Sequence, residues 1–448
     1  MITRSVVGLL PAIIATIMFF AANRAKAQAA TQMVVPGTSP AALFTPPPNL
    51  PKADANGNPI RFAPRTGHVS NYDEAKVAPY TLPDPLVMSD GTAVKDADTW
   101  MNKRRAEILK LYQENIYGRI PDGTPKVVFG VGSADTAALN GTALVRHLAG
   151  HIGRADGGTM NLLLVLPAKA TGPVPVIFSL LFTAPPDPSA APGRGPAGDP
   201  VADVLAHGYA YAALQYTNIQ PDAINTFNQG VIGQTLAPGQ SVPAADEWGT
   251  ISAWAWGISR VVDYLETEKA VDAKRVAIVG HSRLGKTVLW AGAQDSRIAL
   301  IFSSCGGELG SALARRDWGE TVDDMAQSFP YQFAGNLQKY AGHWNDMPVD
   351  AHMLIALCAP RPVFITGGTA DQWSDPKGEY LAEVAAGPVY KLLGKKDLGP
   401  ADPNPPLDKP LTTGDLGFFY HTGGHAVLPA DWAAFFPFAD AHLKPRVP

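Results

Sequence analysis

The chain has 448 residues, 46% of them hydrophobic and 17% charged, with a net charge of −4. That is enough apolar material for one large core or for two to three small ones, and the balance of charge weighs against a binder that neutralises phosphates with lysine and arginine. Two cysteines exclude a disulfide-dense scaffold and a cysteine-rich zinc or iron–sulfur site, while 43 Gly and 41 Pro call for many ordered turns.

Arg4 begins a positively charged start, residues 6–22 are apolar apart from small residues and Pro11, and Ala25-Lys26-Ala27 has the small-x-small form that signal peptidase accepts. Residues 1–27 therefore read as a cleaved signal peptide rather than a membrane anchor, and the mature protein is expected in the periplasm or secreted. Cys305 and Cys358 could pair in an oxidising compartment, or each could be a buried free thiol. Residues 28–60, with Pro46-Pro47-Pro48 and Asn56-Gly57-Asn58-Pro59, read as a Pro-rich tail. Residues 61–448 then form the main body.

Trp100, Ile108, Leu109, Leu111 and Tyr112 fall at helical spacing, so the pattern predicts a helix over 97–117 that Gly118 stops. Strands are predicted at 126–131, 141–148, 159–166, 174–181 and 209–216. Between the last two, the Pro- and Gly-rich stretch 183–200 reads as a long loop. A helix over 252–265 follows. The order is regular from there: strand 275–279, helix 284–293, strands 298–303 and 362–367, helix 376–386, strand 417–420 and helix 429–442. Alternating helices and wholly apolar strands specify an α/β fold with a mostly parallel sheet covered on both faces. In such folds ligands bind at the carboxyl ends of the strands.

The turn after strand 275–279 reads Gly280-His281-Ser282-Arg283-Leu284-Gly285-Lys286-Thr287. It fits two motifs, the phosphate-cradling G-x-x-x-x-G-K-T loop and a serine nucleophile elbow whose second glycine is displaced by one residue. Export, the late position of the motif and the lack of a metal-binding aspartate at a later strand end weigh against the phosphate loop. A nucleophilic serine needs a base, and the base needs an orienting acid. Asp371 follows strand 362–367 and His425 follows strand 417–420. Ser282, Asp371 and His425 thus stand at three strand ends in the chain order of an α/β-hydrolase. Asp375 precedes Pro376 and reads better as a helix cap. His421 is the rival base. The ten histidines are scattered, there is no H-E-x-x-H, and no metal or other cofactor is called for.

The segment 280–286 resembles the G-C/H-S-R-x-G-K elbow of the glucuronoyl esterases, carbohydrate esterase family fifteen, and segments 311–321, 359–363 and 371–379 resemble its bacterial members. The resemblance implies an α/β-hydrolase three-layer sandwich. It implies hydrolysis of the ester between 4-O-methyl-glucuronic acid of xylan and lignin alcohols, through an acyl-enzyme. It implies that Ser282 attacks, that Arg283 helps hold the oxyanion, and that Lys286, Glu320 and Trp373 meet the sugar. Many members carry a glutamate after the strand that follows the elbow helix. Cys305 aligns there and Glu308 lies three residues on, so the acid role falls to Asp371, with Glu308 the alternative. The expected partner is the lignin–carbohydrate ester itself, met by a monomer, with no nucleic acid and no membrane. Rival readings are another carbohydrate esterase, such as a xylan deacetylase, and a catalytically silent carbohydrate-binding homologue.

Overall fold

A computed structural model describes residues 43–154, 157–188, 200–399 and 402–444, all within one compact unit that starts at Leu43. The expected signal peptide and the first part of the expected tail lie outside the described residues, as does most of the 183–200 loop. Among the described residues no helix is long and apolar enough to cross a membrane.

Nine strands form one sheet: β1 (Val127–Ala137), β2 (Ala143–Ile152), β3 (Thr159–Pro167), β4 (Val174–Leu181), β5 (Ala210–Gln215), β6 (Val271–His281), β7 (Leu300–Ser304), β8 (Val363–Gly368) and β9 (Leu416–His421). Their order across the sheet is β1-β2-β3-β5-β4-β6-β7-β8-β9. The β1–β2, β2–β3 and β3–β5 pairs are antiparallel, and every pair from β5–β4 to β8–β9 is parallel.

Seven helices matter for the site: α1 (Arg105–Asn115), α2 (Val201–Ala206), α3 (Thr250–Leu265), α4 (Arg283–Gln294), α5 (Ala351–Cys358), α6 (Pro376–Leu392) and α7 (Pro429–Leu443). Alternation along the strands decides which side each helix covers. Val276 and Ile278 of β6 join Ile301, Val363 and Ile365 in a core with α3, α4, α5 and α6. Ala277 and Val279 join Phe302 and Phe364 in a second core with α2 and α7. Successive strand side chains point to opposite faces, so a sheet buried on both sides needs the continuous apolar runs seen in the sequence. The result is the three-layer α/β-hydrolase sandwich.

The expected 97–117 helix is interrupted. A π turn over Trp100–Arg104 precedes α1, and both Trp100 and Arg104 are buried in it. Arg105 then binds the carbonyls of Ala293 and Leu357, near the ends of α4 and α5. Cationic groups at helix C-termini satisfy carbonyls that lack helical partners. Arg315 and Arg316 have a similar bracing role. Arg315 binds Asp350 at 3.1 Å, and Arg316 binds Asp375 at 2.8 Å. Asp350 and Asp375 cap the N-termini of α5 and α6.

The chain runs outward from β4 to β5, then crosses back past β4 to β6. The carboxyl ends of β4 and β6 therefore mark the point where strand order reverses, the place where ligands bind in open sheets of this kind. Ser282 follows β6 at this point.

Candidate active site

Ser282 has φ +58° and ψ −128°, a backbone conformation that side-chain-bearing residues rarely adopt. Its N–H donates to the Ser304 carbonyl at 2.8 Å. Its side chain makes no capping bond to α4, although serine at a helix start usually caps. The strained turn instead leaves the half-buried hydroxyl outside the helix. Two glycines allow the turn to close. A Cβ on Gly280 would stand 2.2 Å from the Leu284 carbonyl oxygen, and one on Gly285 would meet Ser303 Oγ at 2.8 Å and Ser304 O at 3.0 Å. The displaced second glycine thus has a cause: it is where α4 passes against β7, while Leu284 is wholly buried in the core.

His425 lies on the loop between β9 and α7. Its Nδ1 is 2.6 Å from Asp371 Oδ2 and 3.3 Å from Ser374 Oγ. Asp371 is 4% exposed and His425 37%, so a buried carboxylate orients a ring that solvent and substrate can reach. The bridge to the elbow is His281, whose ring centroid is 4.5 Å from that of His425. Burial, with His425 close by, holds His281 well below the usual histidine range, so it stays neutral. His421 serves another carboxylate: it is buried with Nε2 3.5 Å from Asp431. Asp375 accepts from Gly378 N at 2.9 Å as the cap of α6.

Cys305 sits beside the acid. One donor atom each of Cys305, Asp371 and His425 falls within 4.8 Å of the others, and these are the residues that could hold a metal ion among those described. Burial, with Asp371 close by, pushes the thiol well up, so it stands there as a neutral group. Cys305 and Cys358 are both free and buried. Glu308 lies near Lys286, and the carboxylate on His425 is that of Asp371. It is buried, its Oε1 has no hydrogen-bond partner, and burial with Asp350 and Glu320 nearby raises it well above the carboxylate range.

Lys286, Glu320 and Trp373 come together. Lys286 is buried, and its Nζ donates to Gly306 O at 2.8 Å and to Glu320 Oε2 at 3.3 Å. The Trp373 indole N–H donates to Glu320 Oε1 at 3.0 Å. Glu320 therefore joins the lysine of the elbow helix to the tryptophan two residues after Asp371. The Arg61 guanidinium lies 4.9 Å over the Trp373 ring. Glu379 of α6 ties this wall to the loop after β7, accepting from Gly307 N at 2.9 Å and Ser311 Oγ at 2.6 Å.

Arg283 is the first residue of α4, and its Nη1 donates to Asp222 Oδ2. Its guanidinium lies 5.1 Å from the Phe329 ring. Burial works against the charge, but Asp222 with Tyr331 and Tyr216 close by more than offsets it and raises the guanidinium above its usual value. Sequence reasoning missed Asp222, Cys305 as a neighbour of the acid, Arg61 and Glu379. The available signal for Asp222 is its place on the loop after β5, another strand end of the same sheet.

This arrangement offers a hydroxyl on a strained turn, an imidazole held by a carboxylate, and first-turn N–H groups of α4 with a cation beside them. That set suits attack on a carbonyl carbon and stabilisation of the resulting oxyanion. The comparisons point the same way. A family model described as "Glucuronyl esterase, fungi" matches residues 242–394. A carbohydrate esterase from an unknown prokaryotic organism is 40% identical over 401 residues, covering 83% of this chain and 92% of that protein. The 4-O-methyl-glucuronoyl methylesterase 1 of Wolfiporia cocos is 30% identical over 70% of this chain and 73% of its own length. Among solved structures, a glucuronoyl esterase from Solibacter usitatus is similar with a TM-score of 0.77 at 40% identity, covering 83% of this chain and 100% of that one.

Proposed function

The chain belongs to the glucuronoyl esterases of carbohydrate esterase family 15, in their bacterial form, and on that premise we propose how its residues cleave the ester. It is a carboxylic ester hydrolase. The substrate in this reading is the ester between 4-O-methyl-glucuronic acid of xylan and a lignin alcohol. One observation carries the mechanism: His425, held at Nδ1 by Asp371 at 2.6 Å, has its ring centroid 4.5 Å from that of His281, the residue before Ser282.

With Nδ1 engaged by Asp371, His425 Nε2 is the atom that accepts the Ser282 proton as Oγ bonds to the ester carbonyl carbon. Negative charge moves to the carbonyl oxygen, where Arg283 and the free N–H groups at the start of α4 meet it. Collapse of this intermediate breaks the bond to the alcohol, which leaves with the proton from His425. Water then attacks the acyl-enzyme, giving one proton to His425; collapse breaks the bond to Ser282 Oγ, which takes that proton back from His425, and the released uronic acid gives its own proton to solvent and departs as a carboxylate. Lys286, Glu320 and Trp373 hold the sugar by hydrogen bonds and a ring face. No step calls for a metal. Export by the 1–27 segment and action as a monomer complete the reading.

The test is steady-state hydrolysis of a benzyl glucuronate ester beside p-nitrophenyl acetate, with wild type and Ser282→Ala. Selective turnover of the uronate ester, lost in Ser282→Ala, supports the proposal. Preference for acetate would make the protein a deacetylase, and uronate binding without turnover by wild type would make it a carbohydrate-binding homologue.

A further inference from the structure

The Asp222 carboxylate is 7% exposed and fully engaged. Oδ2 accepts from the Tyr216 hydroxyl at 2.8 Å and from Arg283 Nη1. Oδ1 accepts from the Tyr331 hydroxyl at 3.0 Å and from Gln332 Nε2 at 2.9 Å. Two donors on each oxygen fill the positions a carboxylate offers. The donors come from three separate parts of the chain: the turn after β5, the elbow itself and the loop around 329–332. Tyr216 is in turn wedged edge-on against Trp254 of α3, with ring centroids 4.8 Å apart. Phe329 covers the guanidinium from another side.

We propose that Asp222 is the positioning residue of the active site, fixing the Arg283 guanidinium where the oxyanion develops. This rests on the reading that Arg283 meets that charge. A buried carboxylate held from two tyrosines and a glutamine cannot swing, so the arginine it grips cannot swing either. Arginine has five N–H groups in a rigid fork, and the grip on Nη1 leaves others to face the substrate. An arginine with four rotatable bonds in an open cleft would sample many directions; here its direction is set before substrate arrives. A donor organised in advance costs no reorganisation during reaction, and displacement of about 1 Å can cost ~10²-fold in rate.

Four proteins test this with the uronate ester: wild type, Asp222→Asn, Arg283→Ala and the double variant. Arg283→Ala is expected to lower kcat by ~10²–10³. Asp222→Asn should lower kcat by about 10- to 100-fold with KM within about threefold. In the Arg283→Ala background Asp222→Asn should cost nothing more, because it acts through the arginine. A merely structural Asp222 would give losses that multiply in the double variant, and that result overturns the inference. Wild-type kcat in Asp222→Asn with a loss in Arg283→Ala also overturns it. Wild-type kcat in Arg283→Ala would instead sink the underlying reading of the arginine. Should Asp222→Asn not fold, Tyr331→Phe removes one hydroxyl from Oδ1 and leaves the charge pair. It should lower kcat severalfold, again only when Arg283 is present, and a loss of equal size without Arg283 overturns the inference.

Discussion

Two acids compete for the role of orienting His425, and they respond to substitution in different ways. Asp371 is buried and 2.6 Å from Nδ1. Asparagine there keeps the shape, but its amide can donate to Nδ1. The ring proton then sits on Nε2, the atom that has to accept from Ser282. Wrong-tautomer variants of this kind lose about 10⁴-fold in kcat, or about 5.4 kcal/mol at 1.36 kcal/mol per decade. The Ser374 hydroxyl, 3.3 Å from Nδ1, is uncharged and cannot replace the carboxylate. Glu308 is a buried acid that burial and nearby carboxylates keep protonated, so Glu308→Gln exchanges one neutral group for another of the same size. Its kcat should stay within about threefold of wild type. The assay is steady-state hydrolysis of a benzyl glucuronate ester by wild type, Asp371→Asn and Glu308→Gln, with kcat and KM separated. Equal losses in the two variants, or a larger one in Glu308→Gln, would refute the assignment of the acid.

Three more outcomes are expected. Gly285→Ala drives a methyl group to 2.8 Å from Ser303 Oγ and 3.0 Å from Ser304 O, so it should cost about 1–3 kcal/mol, read as a lowered Tm in thermal denaturation. Lys286→Met leaves Glu320, whose side chain is 12% exposed, without its cation; a stability loss of about 3 kcal/mol in urea denaturation and a raised KM for the uronate ester should appear together. Burial raises Glu379 to about 8, so the folded chain holds a proton there that the unfolded chain releases above its ordinary value of 4.5. Stability from this group is complete below that value and is lost as pH rises through the folded one, so wild type should lose more Tm than Glu379→Gln between about pH 5 and about pH 8.

The α/β-hydrolase architecture was legible because its cause is local. A strand buried on both faces must be a short apolar run, and 275–279, 298–303 and 362–367 are such runs, matching β6, β7 and β8 to within a few residues. The turn at Ser282 was legible too, since Gly280 near the end of a strand, Ser282 after it and Gly285 in the first turn of the next helix make a local pattern. What the sequence by itself determined is therefore the succession of elements and which residues stand at their ends. The tertiary structure alone decided which of those ends meet. Asp222 and Arg283 are 61 residues apart and Asp371 and His425 are 54 apart, and no periodicity carries information over such gaps. Glu308 and Asp371 look alike as letters near strand ends. Only the fold separates them, by burying one with its Oε1 unpartnered and aiming the other at an imidazole. The physical reason is range: propensity and apolar spacing act over a few residues, whereas the direction of a side chain in a cleft depends on everything packed around it.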